Sequence, residues 1–352
     1  MDIVITILVF FSIIIIHELG HFAAARIFGM NVDEFTIGMG PRIFRIQGKK
    51  TLFSFRLLPI GGAVQLGEDF ESDDPNSFRN KPVWQRMIVI VAGAFMNLVL
   101  GLIVCIISVS IGEKIATTQI SLFYENSVSS EKLVQGDKIV EINDMPIWTT
   151  MDISYCFQNT VAKADENDDR VYFDIEVIRN GERVTIEDVP FAMNTSEERT
   201  SGIIIDFAFQ PQDKTPVTVL SAAFRTALTE GRLIWITLFD LITGTYGIND
   251  LSGPVGVVTT MSNAYNFMSV DEFLVLVAFI TINIGIMNLL PIPALDGARF
   301  IFLLIEAIRR KPIPAEKEGI VHFIGFALLM LLMIIVTFND ISRLFMGGAG
   351  AN

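Results

Sequence analysis

Cysteine, histidine and charge are all scarce in this chain. Only Cys105 and Cys156 occur in 352 residues. Cys105 lies in a long apolar run and Cys156 in a polar stretch, so no disulfide between them is expected, and no cysteine-rich metal site is available. Lys and Arg number 26 against 39 Asp and Glu, a net charge of −13 that argues against nucleic acid as a partner. Charged residues make up only 18% of the chain, while apolar residues make up 51%. That balance fits a polytopic membrane protein with one water-facing part better than a soluble enzyme. The N-terminus lacks a basic region, its sole early charge being Asp2, and no convincing cleavage site precedes the first histidines. The first apolar run therefore reads as a retained membrane helix and not as a signal peptide.

Two of the three histidines stand close together, in His17-Glu18-Leu19-Gly20-His21. This H-E-x-x-H set ends an uncharged run from Ile3 to Ile16. On a helix, residues four apart lie on one face, so His17 and His21 can grip one metal ion. Glu18 then lies beside the metal, where it can take a proton from water. Such a set occurs by chance in soluble helices. Inside a lipid-spanning segment, ionisable residues are costly and read as functional.

The expected organisation follows from composition. Residues 1–28 form a first span carrying HELGH, and residues 29–86 a membrane-associated β-loop and connection. In the loop, segments such as Phe35–Ile37, Arg42–Ile46, Thr51–Leu57 and Ala63–Leu66 alternate apolar with polar residues. Glu68 to Asn80 reads as an acidic surface loop. Residues 87–111 form a second span. In residues 112–214 carboxylates outnumber basic side chains about two to one, marking a solvated α+β domain. A helix is expected over Met151–Val161, and a hairpin at Asn180-Gly181.

Residues 215–270 read as an amphipathic, interfacial linker. Arg225, Glu230, Arg232 and Asp240 interrupt the Thr215–Tyr246 helix pattern, and mid-membrane charges cost about 2.5–3.5 kcal/mol each. Leu251 to Gly256 reads as a turn. A third span, 271–300, breaks at Pro291 and Pro293 just before Asp296. A loop over 301–318 and a fourth span with a tail over 319–352 close the chain. The fold class expected is a polytopic membrane protein of four transmembrane helices.

Basic residues concentrate in the connections between spans one and two and between spans three and four. The positive-inside rule assigns both to the cytoplasm, with the acidic domain outside. HELGH and Asp296 then reach the same depth, toward the cytoplasmic leaflet. A catalytic zinc takes three protein ligands and leaves one position open, and His17, His21 and Asp296 supply the three. Asn97 and Asn288 are candidates for hydrogen-bonding a substrate strand or a developing oxyanion. For Asn97, helix–helix bonding is an equal alternative. His322 has no partner spacing and reads as a structural or interfacial residue.

HELGH combined with Asn288-Leu289-Leu290-Pro291-Ile292-Pro293-Ala294-Leu295-Asp296-Gly297 resembles the bacterial site-2 protease family. Gly93-Ala94-Phe95-Met96-Asn97 is similar to that family's second-helix glycine–asparagine motif, with Ala94 where Pro is common. Pro59 to Leu66 resembles its membrane-associated β-loop, with Ala63 where an aromatic is frequent. Residues 112–214 resemble a single PDZ domain, extracytoplasmic in the topology above. The resemblance implies an intramembrane endopeptidase of the bacterial plasma membrane with one Zn2+. Its substrates would be single-span membrane proteins, such as anti-sigma factors already trimmed outside, and remnant signal peptides. The PDZ domain would act as a size filter or gate, and its ligand is not readable.

A substrate helix hides its carbonyls in its own hydrogen bonds, so it must unwind before it is cut. Gly62, Ala63, Val64 and Gln65 are the expected sheet edge that would hold it open. The competing class is a transporter or a zinc-bearing PDZ scaffold, since intramembrane His, Asp and broken helices also mark ion paths. The four spans contain no internal repeat of the transporter kind.

Overall fold

The computed structural model describes residues 2–67, 74–161, 169–194, 202–244 and 251–347. Residues 68–73 of the expected acidic loop, Tyr246 at the end of the amphipathic segment, and the tail at 348–352 lie outside the described residues. Helix α1 (Asp2–Ile27) leads into two long strands, β1 (Glu34–Gln47) and β2 (Leu52–Gln65), and the chain returns as α2 (Val83–Ile111). There follow β3 (Ile115–Phe123), β4 (Lys138–Ile142), β5 (Met145–Pro146), α3 (Thr150–Val161), β6 (Arg170–Arg179), β7 (Glu182–Asn194), β8 (Gly202–Ile203) and β9 (Phe207–Gln212). Five helices complete the chain: α4 (Pro216–Thr243), α5 (Pro254–Phe267), α6 (Val270–Leu289), α7 (Asp296–Arg309) and α8 (Ala315–Gly347).

Among the described residues, four helices are long and apolar enough to cross a membrane: α1, α2, α6 and α8. The chain divides into two compact units, residues 1–105 with 234–352, and residues 106–233.

In the first unit, β1 and β2 each bend so that their halves pair separately. Phe35 pairs with Phe53 on one side and with Val64 on the other. The 62–65 stretch of β2 thus pairs with 34–37 alone, and among the described residues no second strand covers its outer side. Sheet edges left open inside a bilayer are costly unless protein shelters them, and here α1 packs against β2. Glu34 is buried in this sheet, where the Ser54 hydroxyl at 2.5 Å and Arg42 at 2.8 Å donate to it. The Ser54 bond, with Arg42 beside it, holds this carboxyl below the usual range.

Helix α5 differs from the sequence expectation of a turn over 251–256. Its N-terminus is capped from α8: the Asp340 carboxylate accepts the backbone N–H groups of Gly253 at 3.1 Å and Gly256 at 2.8 Å. A side chain 84 residues away thus takes the place of a local cap. Beyond α6 the chain leaves helical geometry at Leu290 and restarts it at Asp296, so the first part of the expected 301–318 loop is instead the helix α7.

The second unit is a sheet ordered β8-β7-β6-β4-β3-β9, with β5 beside β4. Asn180 and Gly181 both take positive φ (54° and 89°) and close the β6–β7 hairpin. Phe157, Phe173, Phe191 and Phe207 stack in its core. The charges that interrupt the α4 pattern have a local use here. Arg232 reaches the buried Asp152 of α3 at 2.5 Å and lies 4.0 Å from the Trp148 ring centre. Asp152 also accepts the backbone N–H groups of Trp148 and Thr149, each at 2.8 Å. Along α4, Val217, Leu220, Phe224, Leu228, Trp235, Phe239 and Ile242 form an exposed apolar stripe at helical spacing, yet α4 is not among the helices both long and apolar enough to cross a membrane.

Candidate metal centre

The ligands of the centre come from two helices. α1 presents His17 and His21 one turn apart. Helix α7 begins at Asp296, directly after the break that Pro291 and Pro293 impose. The three ligand atoms form a nearly equilateral triangle. His17 Nε2 lies 3.2 Å from His21 Nε2, His17 Nε2 lies 3.1 Å from Asp296 Oδ2, and His21 Nε2 lies 3.2 Å from the same oxygen. No other His, Cys, Asp or Glu cluster of three or more with such spacing occurs among the described residues.

Hydrogen bonding on the far side of each ring sets what these atoms can be. His21 Nδ1 donates to the Val89 carbonyl at 2.8 Å, which leaves Nε2 as a bare lone pair. His17 Nδ1 lies 3.4 Å from the side-chain amide of Asn97, whose Oδ1 has no hydrogen-bond partner. Turning that amide over brings the oxygen to the ring as the acceptor that an Nδ1–H needs. Asp296 Oδ2 is likewise buried without a hydrogen-bond partner. Three electron-rich atoms converging without protons between them repel one another unless a cation lies among them. A tetrahedral zinc with bonds near 2.0–2.1 Å has ligands about 3.3 Å apart. The donor set, the spacing and the orphaned oxygen all fit Zn2+.

The backbone around the centre is closely packed. A Cβ at Gly20 would overlap the Ala92 carbonyl, and one at Gly93 would overlap the His21 ring. Glycine at both positions is what lets α1 and α2 approach so closely. A Cβ at Gly297 would overlap the carbonyls of Leu289 and Leu290, so the turn that delivers Asp296 also depends on a missing side chain. Ala294, two residues before Asp296, takes φ 78°, and its N–H donates to His322 Nδ1 at 2.9 Å. His322 thus tethers the metal-bearing loop, a role that spacing alone could not disclose.

Glu18 is buried, and the backbone of Gly62 lies against it: a Cβ built on Gly62 falls 2.7 Å from Glu18 Cγ. Gly62, the first residue of the expected edge stretch Gly62–Gln65, is therefore brought to the acid. Ala63 and Gln65 are exposed, and Val64 is half-buried. Asn288, the penultimate residue of α6, is half-buried. Asn97 is fully buried with its amide at His17, a geometry that suits orienting the ring rather than touching a substrate.

The profile of peptidase family M50 matches residues 5–332. A Clostridium acetobutylicum chain, whose name assigns it provisionally to the zinc metalloproteases, is 38% identical over 347 residues, 97% of each chain. The zinc metalloprotease RasP of Bacillus licheniformis is 32% identical, covering 97% of this chain and 98% of its own. The regulator of sigma-W protease RasP of Bacillus subtilis is 30% identical over the same shares.

Proposed function

The chain belongs to peptidase family M50, the site-2 proteases, and is a zinc metalloprotease of the membrane; from this premise we propose that it cuts single-span membrane proteins within their transmembrane segments. The observation that carries the proposal is the convergence of His17 and His21, on the membrane-length helix α1 that also bears Glu18, with Asp296, which follows the membrane-length helix α6. These three residues would hold the ion. When bound, zinc supplies Lewis acidity to a peptide carbonyl and to a water molecule. Glu18 takes the proton from that water and returns it to the departing amine. Its burial against Gly62 keeps bulk water from competing for the proton. Asn97 and the Val89 carbonyl hold the two imidazoles in the tautomer that points Nε2 at the ion.

The outer side of Gly62–Gln65 is proposed to receive the unwound substrate as an added strand. Its backbone groups would take over the hydrogen bonds that the substrate helix gives up, and proximity to Glu18 would bring the scissile bond to the base. Asn288 is proposed to bond a carbonyl of the same strand. A substrate of the anti-sigma type is favoured by the name of the Bacillus subtilis relative, regulator of sigma-W protease; a remnant signal peptide has the same chemistry. The sheet domain between α2 and α4 is proposed as a PDZ-like gate on the extracytoplasmic side, with the centre toward the cytoplasmic leaflet.

The test is metal analysis together with cleavage of a model single-span substrate in detergent. Wild type is expected to carry one zinc and to cut, and Glu18→Gln to keep the zinc and not cut. A Glu18→Gln protein that cuts at the wild-type rate would remove the proposed base.

A further inference from the structure

Arg86 and Val89 stand one turn apart at the start of α2, and each holds a different helix of the metal centre. The Val89 carbonyl accepts from His21 Nδ1 at 2.8 Å and so orients a ring of α1. The Arg86 guanidinium donates to both carboxylate oxygens of Glu306, Nη2 to Oε1 at 2.5 Å and Nη1 to Oε2 at 3.1 Å, and so holds α7. Its Nε donates to the Lys81 carbonyl at 3.1 Å, which ties the fork to the backbone just before α2. Glu306 lies about 15 Å beyond Asp296 along the same helix. The apolar attachments of α7 are of another kind: Leu303 belongs to the cluster of Ala24, Ala25, Val89 and Ile90, and Phe300 packs against it. Such contacts are non-directional, so they hold the helix close without defining its height or rotation. A guanidinium fork on a carboxylate fixes distance and direction together. Both side chains are withdrawn from water, 8% and 15% exposed. Attraction between charges so placed is largely offset by their lost hydration, and an apolar pair of like volume often gives equal or greater stability. The pair therefore accounts for geometry better than for stability.

We infer that Arg86 and Glu306 are a positioning pair for the metal site: through α7 they set the height at which Asp296 meets His21. The inference rests on His17, His21 and Asp296 being the zinc ligands. Asp296 enters the triangle from a segment broken by Pro291 and Pro293, with Ala294 at φ 78°, so the chain before it does not by itself dictate where α7 stands. The bond from Ala294 to His322 holds that segment, and the fork from Arg86 holds the helix after it. The carboxylate oxygen lies 3.1–3.2 Å from both ring nitrogens. A slide of about 1 Å in a rigid helix carries Asp296 with it and is enough to spoil such a site. One end of α2 thus serves both ligand-bearing helices, α1 through Val89 and α7 through Arg86.

The experiment replaces the pair by apolar side chains, Arg86→Met with Glu306→Leu, in the full-length protein in detergent. Three quantities are read: the melting temperature of the metal-free protein, zinc affinity by competition with a chelator, and the visible absorption of the Co2+-loaded protein, which reports coordination geometry. The double variant is expected to melt at or above the wild-type temperature, to bind zinc about tenfold more weakly, and to show an altered Co2+ band. Arg86→Lys keeps the charge but not the fork, and should weaken zinc binding several-fold. In an Asp296→Ala background, where a ligand is already gone, the apolar replacement should weaken zinc no further, because the pair acts through Asp296. Wild-type zinc affinity and Co2+ spectrum in the apolar variant, or in Arg86→Lys, would overturn the inference. So would an equal further loss in the Asp296→Ala background, which marks a general loosening of the fold. Wild-type zinc affinity in Asp296→Ala alone would instead reject the ligand assignment, and the inference with it.

Discussion

The ring of His21 rests against the bare Cα of Gly93, and any side chain there would occupy the volume of the imidazole's Nε2 edge. Gly93→Ala should therefore push His21 out of the ligand triangle without removing a ligand. Zinc affinity is expected to fall roughly 10- to 100-fold, as when a group that orients a ligand is lost. Zinc content after dialysis against a weak chelator is the measurement; wild-type retention would mean that the α1–α2 contact yields more easily than its packing implies.

The proposed substrate strand makes a backbone prediction. Successive N–H groups of an edge strand alternate between its partner and the open side. Of Ala63→Pro and Val64→Pro, one should remove an outward N–H and abolish cleavage with little change in melting temperature. The other should break the pairing with β1 and lower the melting temperature instead. Normal cleavage by both variants would exclude strand addition at Gly62–Gln65.

Asp340, buried on α8, caps α5 across the fold, so its loss should cost stability. Asp340→Ala leaves the Gly253 and Gly256 N–H groups without an acceptor and should cost about 1–2 kcal/mol. Asp340→Asn keeps an acceptor and should cost less. Denaturation midpoints in one detergent compare the three proteins, and equal midpoints for wild type and Asp340→Ala would reject the cap.

Cys156 supplies a prediction about pH. Burial, with the Asp152 carboxylate close by, pushes its thiol up to about 11. The thiolate is the reactive form, so at pH 8 alkylation in a Cys105→Ser background should run about two hundredfold slower than for an ordinary thiol with pKa near 8.5. The rate should keep climbing about tenfold per pH unit through pH 10, where an exposed cysteine has levelled off. A plateau near pH 9 would indicate a thiol open to water.

Much of the architecture is legible because its causes are local. Uninterrupted apolar runs make α1, α2, α6 and α8, and an Asn-Gly pair makes the β6–β7 turn. Helices α5 and α7 escape the same reading. The α5 sequence contains Thr259, Thr260, Ser262 and Asn263, and its N-terminal cap comes from Asp340, far along the chain. Helix α7 starts directly after two prolines, where a helix is expected to stop rather than restart. Arg232 and Glu230 argue against a span in α4, but only the folded chain reveals that Arg232 serves Asp152. Asn97 is visible as an intramembrane amide, while its partner, His17, is 80 residues away.

By itself the sequence determined the chemistry available: two imidazoles one helical turn apart and a carboxylate beside them in a membrane-length apolar segment, and another carboxylate after a proline break. Residue type and helical period suffice for that, since both are properties of short stretches. Only the tertiary structure decided that the Asp296 oxygen meets both rings at 3.1–3.2 Å, that Gly62 lies over Glu18, and that His322 steadies the loop between. Those relationships depend on how closely the helices pack, and glycines at Gly20, Gly93 and Gly297 set that distance by what they lack.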